Sequence, residues 1–225
     1  MKIAVLSDIH GNFPALQSVL ADMPSVDAFI CCGDLVGYYP DADQVCNTMK
    51  DLSAFIVRGN HDAYVSGALT PAPDKAQAYK IEWTYANLSD KNSNWLASLP
   101  FEMNFLLDGL NIKVRHASPW DEETYLYPDS PRLADIYLGW GEMLLIGHTH
   151  RPMAHQAGEG MVLNPGSVGQ PRDWNPLASY AILDTVTRYA VTRRVEYNVQ
   201  VFQNRLKELG WESSLIEILS RKKDE

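Results

Sequence analysis

Apolar and polar positions alternate in blocks at the start of the chain, and the blocks predict strands that alternate with helices. Apolar runs at 3–6, 26–32 and 54–57 have the length of short buried strands. Between them, apolar side chains recur at helical spacing over 13–23 and 45–52. Strands that alternate with helices pair in parallel through right-handed crossovers. The pattern therefore predicts an α/β fold that begins with three parallel strands.

Beyond residue 70 the pattern changes. Apolar positions over 78–88 and 89–99 predict a helical cover around residues 72–99, and we expect this cover to belong to a single domain over 1–225. The remaining pattern predicts, in chain order, a hairpin over 104–115, a short helix at 132–137, a strand over 143–146, an antiparallel pair over 179–183 and 189–197, and a helix from 202.

Composition and charge narrow the class of protein. The net charge of −9 argues against sequence-independent binding to nucleic-acid backbone, so no extended nucleic acid is expected as a partner. A small phosphorylated substrate is not excluded, because bound metal charge can override the global field. The cysteines (Cys31, Cys32 and Cys46) are odd in number and give no disulfide framework. No signal peptide and no apolar run of about 20 residues are present, so we expect a cytoplasmic protein without membrane contact.

Polar side chains gather where the predicted strands end. Asp8, Asp34 and Asn60 each follow one of the first three strands, at the edge where open α/β sheets bind ligands. Five of the six histidines lie beside Gly, Asp or Asn in similar positions: His10, His61, His116, His148 and His150. This set is large enough for two metal ions, and mixed imidazole and carboxylate ligation suits Zn, Fe or Mn better than Ca or Mg.

The spacing of these residues suggests how they are oriented. Asp8 and His10 are two positions apart, so in an extended chain their side chains point the same way, and the same holds for His148 and His150. Asp34 offers two carboxylate oxygens, which are enough to bridge two cations.

The stretch from Arg58 to Asp62 leaves the third predicted strand through Gly59, which permits a sharp turn. If Asn60 and His61 are still nearly extended there, their side chains point to opposite sides. One of them can then bind a metal while the other faces a substrate.

Five short motifs resemble the signature of the calcineurin-like metallophosphoesterase superfamily, in the same order, between residue 3 and about residue 170. They are Asp8-Ile9-His10, Gly33-Asp34, Gly59-Asn60-His61-Asp62, His116 and Gly147-His148-Thr149-His150. The resemblance implies a two-sheet β-sandwich flanked by helices, in four α/β/β/α layers. It also implies a dinuclear phosphohydrolase, in which a metal-bridging hydroxide attacks a phosphodiester or a nucleotide-type phosphoanhydride in line.

The resemblance further implies a role for each motif residue. The cofactors would be two divalent or trivalent transition metal ions (Mn, Fe, Zn or Ni). Their implied ligands are Asp8, His10 and His150 for the first ion, Asn60, His116 and His148 for the second, and Asp34 as the bridge.

The same resemblance implies that His61 is no ligand. It would contact the phosphate, together with Asn60, and protonate the leaving oxygen, while Asp62 would orient or polarise it. Arg172 follows a predicted turn and has a guanidinium suited to a phosphate, with a surface or structural ion pair as the alternative.

Departures from the family pattern narrow the subgroup. The run 33–40 lacks the Asp and Arg that follow the bridging Asp in protein serine/threonine phosphatases. The runs 116–119 and 164–172 instead resemble the small bacterial and archaeal phosphodiesterase branch. We therefore expect hydrolysis of phosphodiesters or dinucleoside polyphosphates to outrank that of monoesters.

Three alternatives remain. A phosphomonoesterase would use the same ligands, whereas a non-catalytic scaffold on this fold would lose ligands or the acid histidine, and a DNA-processing nuclease would need a basic patch. Aromatic residues of the motif loops either stack on a nucleobase or pack in the protein; they are Tyr38, Tyr39, Trp120, Tyr125 and Trp174.

Overall fold

Two five-stranded sheets lie within residues 1–223, the part of the chain that this computed structural model describes. The last two positions of the predicted domain range 1–225 fall outside the described residues, and the division into one domain stays a prediction. The chain begins with the predicted alternation: β1 (Lys2–Leu6), α1 (Phe13–Asp22), β2 (Ala28–Cys31), α2 (Ala42–Asp51) and β3 (Phe55–Ile56).

A helical segment and then a strand-rich half follow. The helices are α3 (Asn60–Val65), α4 (Pro73–Ala78), α5 (Ile81–Asn87) and α6 (Asp90–Ser98). The strands are β4 (Met103–Leu107), β5 (Leu110–Val114), β6 (Glu142–Leu145), β7 (Met153–Ala157), β8 (Gly160–Asn164), β9 (Ala178–Asp184) and β10 (Tyr189–Val195). Short 3-10 helices at Pro131–Asp135 and Ile218–Ser220, with α7 (Val199–Glu208) and α8 (Ser213–Glu217), complete the described chain.

The strand β1 lies at the centre of the first sheet, whose order is β10-β9-β1-β2-β3. It pairs in parallel with β2, which pairs in parallel with β3, and this confirms the predicted alternation. The predicted antiparallel pair β9 and β10 is also confirmed. Because parallel strands end at one edge of a sheet, the turns after β1, β2 and β3 begin close together.

The second sheet has the order β4-β5-β6-β8-β7 and includes a hairpin, β7–β8, that the sequence pattern does not predict. The edge strand β7 buries only its two ends, and its middle positions Ala154, His155 and Gln156 are exposed or half-buried. Because β7 has so little apolar surface, its apolar and polar residues do not alternate clearly, and the sequence pattern does not predict the strand.

The predicted helical cover around 72–99 contains α4, α5 and α6, one helix more than the pattern indicates. Lys80 adopts a left-handed conformation (φ 59°) between α4 and α5. A residue in this conformation cannot continue a right-handed helix. The cover packs on the core through Ile81, Leu88 and Leu96.

Both faces of β1 are buried, which explains its continuous apolar run. Leu6 packs with Leu16 of α1 on the helical side of the first sheet. Val5 packs with Ile112 of β5 and Leu145 of β6, in the core between the two sheets. This confirms the predicted α/β fold, a two-sheet sandwich flanked by helices.

A 3-10 helix and the residue after it cover part of the outer face of the second sheet. Leu133 and Ile136 of this segment pack there against Leu144 of β6 and Val162 of β8.

Among residues 1–223, no helix is both long enough and apolar enough to cross a bilayer.

Candidate metal centre

Tight turns at the strand ends bring the predicted metal ligands together. Five of these ligands have left-handed backbone, with φ between 53° and 65°: Asp8, His10, Asp34, His148 and His150. Such residues cost roughly 1–3 kcal/mol each and cluster at functional sites. The extended-chain premise used for their orientation is therefore wrong. His148 and His150 accordingly belong to two different groups of side chains rather than pointing the same way.

Three overlapping groups of buried side chains have all their ligand atoms within 4.8 Å of one another. They are Asp8, His10 and His150; His10, Asp34 and His61; and Asp34, His116 and His148. Asn60 joins the third group, since its Oδ1 lies 3.1 Å from His116 Nε2. The structure thus brings together every predicted ligand, while their binding of ions stays a prediction.

Asp34 lies between the two predicted ligand sets. Its Oδ2 is 3.7 Å from His10 Nε2 and 3.2 Å from His116 Nε2. Its Oδ1 instead accepts a hydrogen bond of 2.9 Å from the backbone N–H of His61. A single oxygen, Oδ2, therefore faces both sets, although the sequence predicts that both carboxylate oxygens are available to bridge two cations.

Four histidines each donate one ring N–H to a main-chain carbonyl. The donors and acceptors are His10 Nδ1 to Val36 (3.1 Å), His116 Nδ1 to Cys32 (2.7 Å), His148 Nε2 to Glu123 (3.1 Å) and His150 Nδ1 to Gln170 (2.6 Å). A carbonyl can only accept, so the hydrogen must be on the ring nitrogen that faces it. The other nitrogen of each ring then faces the cluster, where it offers a lone pair to a metal ion once the ring is neutral, as in metal-ligating histidines.

The short distance between two of these ring nitrogens shows whether the cluster suits a metal ion. His10 Nε2 lies only 3.0 Å from His150 Nε2. Burial lowers the pKa of His10 to about 4 and holds that of His150 well below its usual range. At neutral pH neither nitrogen retains a second proton, so two lone pairs face each other, and a cation between them would remove their repulsion. The residues therefore fit a transition metal.

Asp34 and His116 form the most strongly charged pair of the cluster. Burial lowers the pKa of His116, but the Asp34 carboxylate outweighs it and raises this pKa to about 9. Burial raises the pKa of Asp34, and the imidazoles of His116 and His61 reverse this and hold it well below its usual range. A proton and a metal ion thus compete for His116 Nε2, since a ligating imidazole must be neutral.

His61 has different surroundings from the other four histidines. It lies in the first turn of α3, after Gly59 as N-cap, so Asn60 and His61 are helical rather than extended. Its ring stacks on Tyr79 at 4.3 Å and contacts Tyr38 at 4.7 Å. Within the described residues its buried Nδ1 has no hydrogen-bond partner. Burial lowers the pKa of His61 well below its usual range.

Asp62 does not contact the His61 ring through a hydrogen bond, in contrast to its predicted role as an orienting or polarising partner. Its two carboxylate oxygens accept four backbone N–H groups, those of residues 34–36 and of Gly59, at 2.9–3.2 Å. Asp62 therefore fixes the turn that carries Asp34 against the start of α3. A Cβ atom on Gly59 would overlap Asp34 in this close approach.

Arg172 is held by two neutral partners. Its Nε and Nη2 donate to Gln170 Oε1 at 3.0 and 2.6 Å, and Nη2 also donates to the Tyr38 hydroxyl at 2.8 Å. Its backbone N–H donates to the His150 carbonyl at 3.2 Å. The structure thus places Arg172 beside the first ligand set, and among residues 1–223 its side chain has no hydrogen bond to a carboxylate.

Two of the aromatic residues named from the sequence contact the cluster. Tyr38 packs on His10 at 4.7 Å, and Tyr125 stacks on His148 at 3.9 Å. The other three pack elsewhere: Tyr39 is buried against Phe202, Trp120 lies under Arg132 and Trp174 lies under Arg221.

Sequence reasoning misses Tyr79 and Gln170. Tyr79 lies in no motif and reaches the site only because distant segments pack together. Gln170 lies in the run 164–172, but the sequence assigns it no role.

Comparison with known proteins gives a consistent result. A family model for the calcineurin-like phosphoesterase superfamily domain matches residues 1–188. An uncharacterized protein of Methanocaldococcus jannaschii is 33% identical over an alignment that covers 92% of this chain and 94% of that protein. Phosphodiesterase YfcE of Escherichia coli is 28% identical over 198 residues, covering 82% and 88% of the two chains. The crystal structure of a metallophosphoesterase from Sphaerobacter thermophilus is similar with a TM-score of 0.82, at 29% identity and 98% coverage of both chains.

The contacts of Asp62 generate a test of its structural role. Replacing Asp62 by Asn puts an NH₂ group against backbone N–H donors, so we expect the free energy of unfolding to fall by about 1–3 kcal/mol. Urea unfolding with a chelator present measures this loss independently of bound ions. Asp129→Asn, an exposed site with the same change in charge, is the control. Equal stability of the two variants would contradict the assigned contacts.

Proposed function

The chain belongs to the calcineurin-like phosphoesterase superfamily, and from this premise we propose that it is a phosphodiesterase that uses two metal ions to hydrolyse small phosphorylated substrates. One observation carries the proposal: four imidazoles, each with one ring nitrogen bonded to a main-chain carbonyl, direct their other ring nitrogens into a buried cluster that contains Asp8 and Asp34.

Two sets of residues would hold the ions. Asp8, His10 and His150 form the first, Asn60, His116 and His148 form the second, and Asp34 serves both. Imidazole, carboxylate and amide oxygen suit Mn, Fe, Zn or Ni. When bound, such ions neutralise phosphoryl oxygens and lower the pKa of water, so that hydroxide is available at neutral pH.

His61 would deliver a proton to the leaving oxygen. Its lowered pKa makes the imidazolium a stronger acid but depopulates it at neutral pH. The negative charge of a bound phosphodiester offsets this effect, because a nearby anion favours the charged imidazolium. Within the described residues, His61 Nδ1 has no carbonyl partner. No hydrogen bond therefore fixes the tautomer of His61, in contrast to the four histidines that would bind the ions.

Arg172 would bind a phosphoryl oxygen. Its side-chain partners in the described part of the chain, Gln170 and Tyr38, are neutral, so no described residue supplies a hydrogen-bonded counter-ion. The guanidinium has five N–H donors, and these partners use only part of them. The aromatic rings beside the ligand sets favour a substrate with an organic group on the phosphate, and the similarity to phosphodiesterase YfcE supports a diester above a monoester.

The first experiment measures turnover. The purified protein with added Mn²⁺ should hydrolyse bis(p-nitrophenyl) phosphate, and Asp34→Asn should abolish this activity because the carboxylate that both ligand sets share is lost. Turnover that persists in Asp34→Asn, or no turnover in the unchanged protein, would contradict the proposal.

His61→Ala should keep the fold and the metal content but lower kcat by about 100- to 10,000-fold, the usual contribution of a general acid. The loss should be larger for an alkyl than for a nitrophenyl leaving group, because a poor leaving group depends more on the proton. His148→Ala is the comparison and should lose metal, as counted by elemental analysis per chain. If His61→Ala strips a metal, the division between acid and ligands is wrong.

Arg172→Gln should raise KM for the diester by about tenfold or more, as expected for one lost charge-assisted hydrogen bond. Arg193→Gln, on the edge strand β10, is the matched control, because Arg193 pairs with Asp22 at the surface. Steady-state kinetics at saturating Mn²⁺ measures the change. If both variants have the KM of the unchanged protein, Arg172 does not bind substrate.

A further inference from the structure

A cavity of about 380 Å³ lies between the cover helix α4 and the C-terminal helix α8. Its walls include Tyr38 and Tyr79, Asp74 and Gln77 of the cover, and Glu212 and Leu215 of the C-terminal segment. This volume is within the range of small-molecule sites. None of the predicted metal ligands lines it.

Two tyrosines connect this cavity to His61. Tyr79 stacks on the His61 ring at 4.3 Å, Tyr38 contacts the same ring at 4.7 Å, and both tyrosines also form the cavity wall. The cavity is therefore separated from His61 by the thickness of one side chain, within reach of a group bonded to the oxygen that His61 would protonate.

Resting on the proposed phosphodiesterase function, we propose that the cavity binds the leaving group of the diester and that this leaving group is a nucleoside. The half-buried ring of Tyr79 lines the cavity and offers a stacking surface to a base, and base–aromatic stacking is tolerant of base identity. The Gln77 amide and the Asp74 and Glu212 carboxylates offer acceptors to ribose hydroxyls and base amino groups.

The negative charge of two carboxylates in the cavity wall disfavours a polyphosphate chain. Two of its polar residues, Asp74 and Glu212, are carboxylates, and Lys80 already pairs with Glu212 at 2.6 Å. Like charges placed close together repel, so a second phosphate is disfavoured there. The leaving group is therefore neutral, and the phosphodiester ranks above the phosphoanhydride.

The C-terminal wall of the cavity is tied to the loop that carries Tyr38. Trp211 Nε1 donates to the Tyr38 carbonyl at 2.7 Å, and the Tyr39 hydroxyl donates to the Leu215 carbonyl at 3.0 Å. A wall fixed in this way is preorganised, so little ordering is required when a ligand enters.

The methyl ester of adenosine 5′-phosphate separates the two directions of cleavage. If the nucleoside leaves, water oxygen bonds to phosphorus, the bond from phosphorus to O5′ breaks, O5′ takes the proton of His61, and the products are adenosine and methyl phosphate. If methanol leaves, the products are methanol and adenosine monophosphate. The two alcohols have similar acidity, so the product ratio reports which group occupies the cavity.

The experiment measures methyl phosphate against methanol, by phosphorus and proton NMR, for the Mn²⁺-loaded protein. We expect methyl phosphate to exceed methanol by about tenfold or more, and we expect Ser214→Trp to lower this ratio by about tenfold, as for the loss of one stacked base. Ser214 is an exposed residue that lines the cavity. Its neighbour Ser213 is also exposed but lines a different cavity, so Ser213→Trp is the matched control and should keep the ratio.

Ala78→Trp narrows the cavity from the opposite wall and should lower the ratio in the same way, which keeps the test valid if Ser214→Trp does not fold. Methanol as the main product, or equal ratios in the cavity and control variants, would overturn the proposal. Turnover of bis(p-nitrophenyl) phosphate without turnover of the methyl ester would also overturn it, while the proposed function stands. No turnover of either compound would contradict both.

Discussion

The candidate site depends on the hydrogen bonds that four histidines donate to main-chain carbonyls. These bonds fix which nitrogen of His10, His116, His148 and His150 carries its hydrogen, and so fix the direction of every imidazole lone pair. Because the acceptors are main-chain carbonyls of loops, the conformation of these loops determines how each imidazole is oriented. Buried nitrogens that face one another at 3.0 Å then leave a cation as the natural partner.

The loops can hold this arrangement because they are bonded to one another. Asp8 N donates to the Gly33 carbonyl, Gly147 N to the His116 carbonyl and Gly169 N to the Asp8 carbonyl, at 2.7–3.0 Å. Asp62 adds four further bonds within the same region. These contacts offset the cost of left-handed backbone at the ligand positions, roughly 1–3 kcal/mol each.

The gathering of the candidate ligand residues in one cluster could be predicted from the sequence, because metal chemistry restricts residue type and the strand pattern locates the sheet edge. Their orientations could not. The turn after Gly59 enters a helix, so His61 and Asp62 are adjacent in the chain without facing each other, as is general for neighbours on a helix. Tyr79 stacks on His61 only because the cover packs over α3, a contact between segments that no local pattern encodes. The β7–β8 hairpin is missed for a similar reason, since its edge strand buries little apolar surface.

In the proposed metal centre, two ions share Asp34 while His61 binds neither. Anomalous diffraction from Mn²⁺-loaded crystals tests it most directly. We expect two peaks beside the Asp34 carboxylate, one contacting Asp8, His10 and His150 and the other contacting Asn60, His116 and His148. A single peak, or a peak within bonding distance of His61, would contradict the account.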